Sequence, residues 1–163
     1  MQYRVVDLSD MEISDDASEI LVTYSIGSCI GVTMFDPVVR VGGMVHCMLP
    51  SCKLDPEKAT ENPALFVDTA IPELYDRVTR CGAGKSRLVV TLAGAARIIQ
   101  GHGMFRIEER NLRACEEFFA QNDISIRKSC TGGYEGRTIF LNMSNGNFTV
   151  RCGGKDEVYE LSE

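Results

Sequence analysis

Cys29-Ile30-Gly31-Val32-Thr33-Met34-Phe35-Asp36-Pro37, followed after three residues by Val41-Gly42-Gly43-Met44-Val45-His46-Cys47-Met48-Leu49, reads as a β-hairpin. Residues 29–35 and 41–49 are the strands, and Asp36-Pro37 supplies the turn. The hairpin carries a thiol and one of the chain's two histidines, seventeen residues apart. Pairing Cys29 with His46 centres the turn between Pro37 and Val38, where the turn residues fall. In that register the two Cβ atoms are roughly 4.5 to 5.5 Å apart, within reach of a thiol to imidazole hydrogen bond. A slip of one residue sends the two side chains to opposite faces.

Working outward, residues 19–24 contain Ile20, Leu21, Val22 and Thr23, a short strand that ends at the Ser25-Ile26-Gly27-Ser28 turn. Downstream, Asn62-Pro63 opens a helix with an N-cap residue and proline at N1, and Phe66, Ala70, Ile71, Leu74 and Val78 form its apolar stripe. Pro72 is expected to bend or restart that helix. Gly82 ends it, residues 87–92 form a buried strand running into Ala93-Gly94-Ala95-Ala96, and a flexible stretch follows at Gln100-Gly101-His102-Gly103. Residues 108–121 form a second helix with Leu112, Cys115, Phe118 and Phe119 on one face and an acidic first turn that suits its dipole. Residues 124–130, 137–143 and 147–152 alternate as strands, the last two joined through Ser144-Asn145-Gly146.

Length and composition narrow the function. The chain has 163 residues, of which 44% are hydrophobic, enough for one core, so residues 1–163 are expected to form a single domain. The net charge of −6 argues against nucleic acid or an anionic membrane surface as the main partner. The start lacks a signal-peptide pattern and no apolar run is long enough to span a bilayer, so a cytoplasmic protein without membrane insertion is expected. Seven cysteines in such a chain do not suggest a disulfide framework, and most are expected to be small core residues.

The chemistry centres on Cys29. A thiolate attacks unreactive carbonyls, and it needs a base because free cysteine is mostly protonated at neutral pH. His46 is the candidate base and Thr23 the candidate group that orients it. Gly27 and Ser28 form a tight turn whose backbone N–H groups could hold an oxyanion. On local sequence alone, a structural cysteine, a satisfied core histidine and an ordinary strand threonine are the commoner readings. Two other patterns carry little: Cys81-Gly82-Ala83-Gly84-Lys85-Ser86 ends like a phosphate-binding loop but has Thr79 where the first glycine is required. Zinc at His46, Cys47 and Cys52 is disfavoured because adjacent strand residues face opposite ways.

Several motifs occurring in order decide between these readings. Thr23-x5-Cys29 ending in Gly27-Ser28-Cys29, Val45-His46-x-Met48-Leu49-Pro50, Val67-Asp68-Thr69-Ala70-Ile71-Pro72, Gly94-Ala95, Arg110-Asn111 and Thr131-Gly132-Gly133-x2-Gly136-Arg137 resemble the CheD family of chemotaxis proteins, the chemoreceptor glutamine deamidases. The resemblance spans about residues 20–152. It implies hydrolysis of receptor glutamine side chains to glutamate with release of ammonia, Cys29 attacking, His46 moving the proton and Thr23 holding His46. It implies an α+β fold similar to the cysteine hydrolases of the cytotoxic necrotizing factor type, with a layered, β-sandwich-like mixed core flanked by helices. It implies no metal or organic cofactor. The partners it implies are the chemoreceptor cytoplasmic domain as substrate and a CheC-type phosphatase, with a regulatory docking module as the rival role. Family members commonly carry glycine where Ser25, Ala95 and Glu108 stand, and an aromatic residue in the loop where Ile98 and Ile99 stand. Those two residues and His102 are the candidate substrate or partner loop.

Overall fold

The computed structural model describes residues 1–98 and 106–161. It contains, among the described residues, the strands β1 (Gln2–Val5), β2 (Met11–Ser14), β3 (Glu19–Ile26), β4 (Ile30–Asp36) and β5 (Val41–Cys47). The helices α1 (Pro56–Glu61) and α2 (Val67–Arg80) follow, then β6 (Val89–Gly94) and α3 (Ile107–Gln121). The chain ends on β7 (Ile126–Thr131), β8 (Arg137–Asn142), β9 (Phe148–Cys152) and β10 (Lys155–Tyr159). The strands form two mixed sheets, ordered β1-β3-β8-β9-β10 and β2-β5-β4-β6-β7. The expected layered α+β architecture is therefore present.

The second sheet is the middle layer. One of its faces, with Phe35, Met44 and Ala93, packs against Leu21, Ile26, Ile139, Leu141, Phe148 and Val150 of the first sheet. Its other face, with Val32, Met34, Val45 and Leu92, receives Val67, Ala70, Ile71, Leu74 and Val78 of α2 and Cys115 and Phe119 of α3. Covering on both faces explains why every residue of β4 and β5 is buried and why neither strand alternates in polarity. Each large side chain in these layers contributes roughly 1.5 to 3 kcal/mol relative to exposure, so packing decides local conflicts.

Pro72 is one such conflict. The helix runs unbroken from Val67 to Arg80 through it. The proline removes one intrahelical bond in the second turn, while Ala70, Ile71, Leu74 and Val78 stay anchored in the core. The helix also starts later than Asn62-Pro63 suggests: Asn62 caps a 3₁₀ turn at Pro63–Leu65 instead. The first N–H groups of α2 donate to the chain just beyond β5, Val67 N to Leu49 O at 2.8 Å and Asp68 N to Pro50 O at 3.3 Å. That docking fastens the end of the strand that carries His46.

The hairpin register differs from the sequence expectation by two residues in its index sum. Gly31, not Cys29, lies opposite His46, and Ile30 opposite Cys47. The turn is longer than Pro37-Val38 because the Asp36 carboxylate takes the Val38 N–H at 2.9 Å and Arg40 closes the loop with φ 56°. A shift of two preserves parity, so Cys29, just before β4, stays on the inter-sheet side with His46 but diagonal to it, and the expected thiol to imidazole hydrogen bond is not formed. The structure also extends the strand of residues 19–24 to Ile26, through a register shift between Thr23 and Ile26. Ser25, at φ 55°, makes that bulge and lets Thr23 and Ile26 both face inward.

All seven cysteines are free, but only Cys47 and Cys115 are fully buried, fewer than expected from composition. The stretch Gln100-Gly101-His102-Gly103 lies outside the described residues.

Candidate active site

The turn before β4 is held by its carbonyls. Gly27 O accepts from Ala96 N at 2.9 Å, Cys29 O accepts from Ala95 N at 2.8 Å, and Ser28 O accepts from the Asn111 amide at 3.0 Å. Gly94, at φ 117°, makes the close approach possible, since a Cβ there would lie 2.5 Å from Cys29 O. Peptide planarity then points the N–H groups of Ser28 and Cys29 away from these partners. Neither donates to another residue among those described; the Cys29 N–H lies by its own sulfur. A turn with its carbonyls tied back and its N–H groups unspent can receive an oxyanion.

His46 occupies β5, and both its backbone groups are bonded to the segment before β2, His46 N to Asp10 O at 3.2 Å and Ser9 N to His46 O at 2.8 Å. Gly31 stands opposite, where a Cβ would collide with Ile139 and Ile26 side chains at 2.8 and 2.9 Å. The residue is 3% exposed. Its Nδ1 is 2.8 Å from Thr23 Oγ1 across the two sheets, and its Nε2 is buried with no partner among the described residues. A proton on Nδ1 shared with Thr23 leaves the Nε2 lone pair free to accept another.

Burial sets the charges. It pushes His46 down to about 4 and pushes the Cys29 thiol up from its ordinary value, against a lesser opposing effect of its own backbone N–H. At neutral pH the pair is therefore a thiol and a neutral imidazole, not an ion pair. Cys29 is half-buried and packs against the inter-sheet core with Cys130. A neutral imidazole held at one nitrogen and free at the other is fit to take the proton of an attacking thiol.

The structure thus joins Thr23 to His46 directly and sets Cys29 on the same sheet face. Cys47 projects the other way, into the helix-side core. Ile98 is exposed and lies over Gly27, its Cγ1 3.0 Å from where a Gly27 Cβ would be. A groove of about 460 Å³ lined by Ser25, Gly27, Ile98, Gly136, Arg137 and Thr138 runs beside it. Ile99 and His102 lie outside the described residues. Sequence reasoning assigned no role to Asn111, although its place four residues before Cys115, on the buried stripe of α3, is a signal that was there to read.

A family model described as CheD chemotactic sensory transduction matches residues 48–152. The chain belongs to the CheD family. A protein of Syntrophus aciditrophicus named probable chemoreceptor glutamine deamidase CheD 1 is 39% identical over 92% of this chain and 94% of its own length. Proteins named probable chemoreceptor glutamine deamidase CheD from Solibacter usitatus and CheD 2 from Anaeromyxobacter dehalogenans are 34% and 35% identical, over 96% and 99% of this chain and 93% and 100% of theirs. Ser25 and Ala95, the two positions where the family resemblance leads to an expectation of glycine, both adopt left-handed backbone, at φ 55° and 51°.

Proposed function

We propose that this chain hydrolyses glutamine side chains on the cytoplasmic domains of chemoreceptors to glutamate, with Cys29 as nucleophile, His46 as general base and acid, and Thr23 as its orienter. The observation that carries the reading is the 2.8 Å contact of Thr23 Oγ1 with His46 Nδ1, which leaves Nε2 buried, without a partner among the described residues, on the face shared with Cys29. The Cys29 thiol gives its proton to His46 Nε2 as sulfur bonds to the side-chain amide carbon. The oxygen of that carbon becomes an oxyanion, received by the N–H groups of the Gly27-Ser28-Cys29 turn. The imidazolium then protonates the amide nitrogen, the C–N bond breaks and ammonia leaves a thioester on Cys29. Water gives one proton to Nε2 and attacks the thioester; the C–S bond breaks, the sulfur regains the proton, and glutamate is released. A glutamyl methyl ester would follow the same course with methanol as the leaving group.

Purified receptor cytoplasmic fragments should gain the amide-to-acid mass change and release ammonia with the wild-type protein, and do neither with Cys29→Ala or His46→Ala. Equal conversion by wild type and Cys29→Ala would end the proposal. On this reading the protein works in the cytoplasm, where receptor signalling domains lie; no helix among the described residues is long and apolar enough to cross a membrane. Ile98, exposed beside Gly27, supports a second role for this face, docking of a CheC-type phosphatase in competition with the receptor. Pull-down of that phosphatase should survive Cys29→Ala and weaken in Ile98→Asp.

A further inference from the structure

Asn111, Cys115 and Phe119 follow one another at four-residue intervals on α3, and these three are its buried residues. Cys115 and Phe119 enter the helix-side core. Asn111 is 0% exposed, so an amide occupies a position that the pattern of the helix assigns to an apolar residue. An unpaired amide there would cost about 1 to 3 kcal/mol per unmet group. Its nitrogen is met twice, by Ser28 O at 3.0 Å and Met48 O at 3.1 Å. Two carbonyl partners require that the nitrogen, not the oxygen, faces them.

The two carbonyls belong to the two halves of the site. Ser28 is peptide-bonded to Cys29, and Met48 follows His46 by two residues. The β4–β5 ladder ends at the pair Ile30 and Cys47, so Asn111 takes one carbonyl from each strand where they part. Met48 is also held from the other side, its N–H donating to Leu65 O at 3.0 Å. Because the peptide is planar, fixing Ser28 C=O fixes the direction of the Cys29 N–H, one of the two donors free for an oxyanion. The two buried side-chain atoms without partners among the described residues, Asn111 Oδ1 and His46 Nε2, both sit at this end of the hairpin.

We propose that Asn111 is a positioning residue for the reaction: through the Ser28 and Met48 carbonyls it locks the nucleophile turn to the end of the strand carrying His46. It touches neither substrate nor reacting atoms. The inference rests on the deamidase reading, and its test separates the two. Asn111→Leu keeps the size and suits the apolar stripe but cannot donate. Asn111→Asp keeps the shape and also loses the donors, and Asn111→Ser carries the same readouts should the leucine not fold. Phe119→Leu, on the same stripe and away from the turn, is the packing control.

Each variant is measured for thermal unfolding, for kcat and KM on a receptor cytoplasmic fragment, and for the pH profile of Cys29 alkylation by iodoacetamide, read by peptide mass. Asn111→Leu and Asn111→Asp should leave KM within about twofold and lower kcat at least about tenfold, since a misplacement of 1 Å can cost about 10²-fold. Their Cys29 alkylation profiles should move from that of wild type. Phe119→Leu should lower the unfolding temperature with kcat per folded molecule and the alkylation profile unchanged. A wild-type kcat and an unmoved alkylation profile in folded Asn111 variants would overturn the proposal, as would losses that merely follow the folded fraction. Alkylation needs no receptor, so a wild-type protein that fails to deamidate sinks the reaction while the role of Asn111 at Cys29 is still decided.

Discussion

The two ends of the β4–β5 hairpin both bury polar groups, and they treat them in opposite ways. At the turn end, Asp36 is fully buried and its carboxylate is fully used. It accepts from Gly84 N at 2.7 Å, Val38 N at 2.9 Å and the Arg87 guanidinium at 2.8 Å. Burial alone would raise its pKa, but these donors outweigh it and hold the carboxyl at about 2. At the open end, Thr23, His46 and Asn111 are also buried, yet His46 Nε2 and Asn111 Oδ1 have no partner among the described residues. A satisfied cluster stabilises the fold, whereas in the proposed mechanism the unpartnered His46 Nε2 is the atom that takes the thiol proton.

Substitutions can break that contrast. The largest effect on folding is expected at the turn end: Asp36→Ala strands the Gly84 and Val38 donors and should lower stability by about 3 kcal/mol in urea unfolding, less than for a fully buried pair because Arg87 can turn to water. Deamidation per folded molecule should be unchanged. If activity fell while stability held, the two ends would not be separate in role.

Acid should act on the open end next. His46 is buried neutral, so the unfolded chain, with an imidazole near 6.5, binds a proton before the folded chain does, near 4. Its contribution is fully present above pH 6.5 and declines as pH falls towards 4, by up to roughly 3 kcal/mol. Since the base must be neutral, deamidation should persist at pH 5 and fall through about pH 4 in kcat profiles of protein that remains folded. An acid limb near pH 6.5 would contradict the depressed imidazole.

Thr23→Val keeps the strand and removes the hydroxyl. It should cut kcat about tenfold to 10²-fold with little change in KM, the loss expected when a base loses its orienting partner. Unchanged kcat would reduce Thr23 to a packing residue. The smallest effects belong to the backbone around the turn, where Ser25→Gly and Ala95→Gly relieve left-handed strain of about 1 kcal/mol each against the entropy that glycine adds to the unfolded chain. Unfolding temperatures should rise slightly or stay level; a marked fall would show that those side chains carry contacts the turn needs.

Much of this was legible in the sequence, for identifiable reasons. The hairpin, α3 and the strands β6 to β9 were readable because β-branched runs, turn residues and helical periodicity agree there. β1, β2 and β10 were missed: each is an edge strand of four or five residues, and β1 pairs with β3 in parallel, a pairing that leaves no turn signal. The register slipped because the Asp36 side chain lengthens the turn, a tertiary effect that involves Gly84 and Arg87 far along the chain. Thr23, Cys29 and His46 were singled out through their spacing and the family resemblance. Asn111 stood in the quoted motif Arg110-Asn111 without a role, and the one proposed for it follows only once α3 is laid across the parting strands.

The most direct measurement is peptide mass mapping of the wild-type protein acid-quenched during turnover of a receptor cytoplasmic fragment. The reading of the open end predicts a thioester to the substrate acyl group on the peptide containing Cys29, released by hydroxylamine. The acyl group on any other of the seven cysteines, or turnover undiminished in Cys29→Ala, would contradict it.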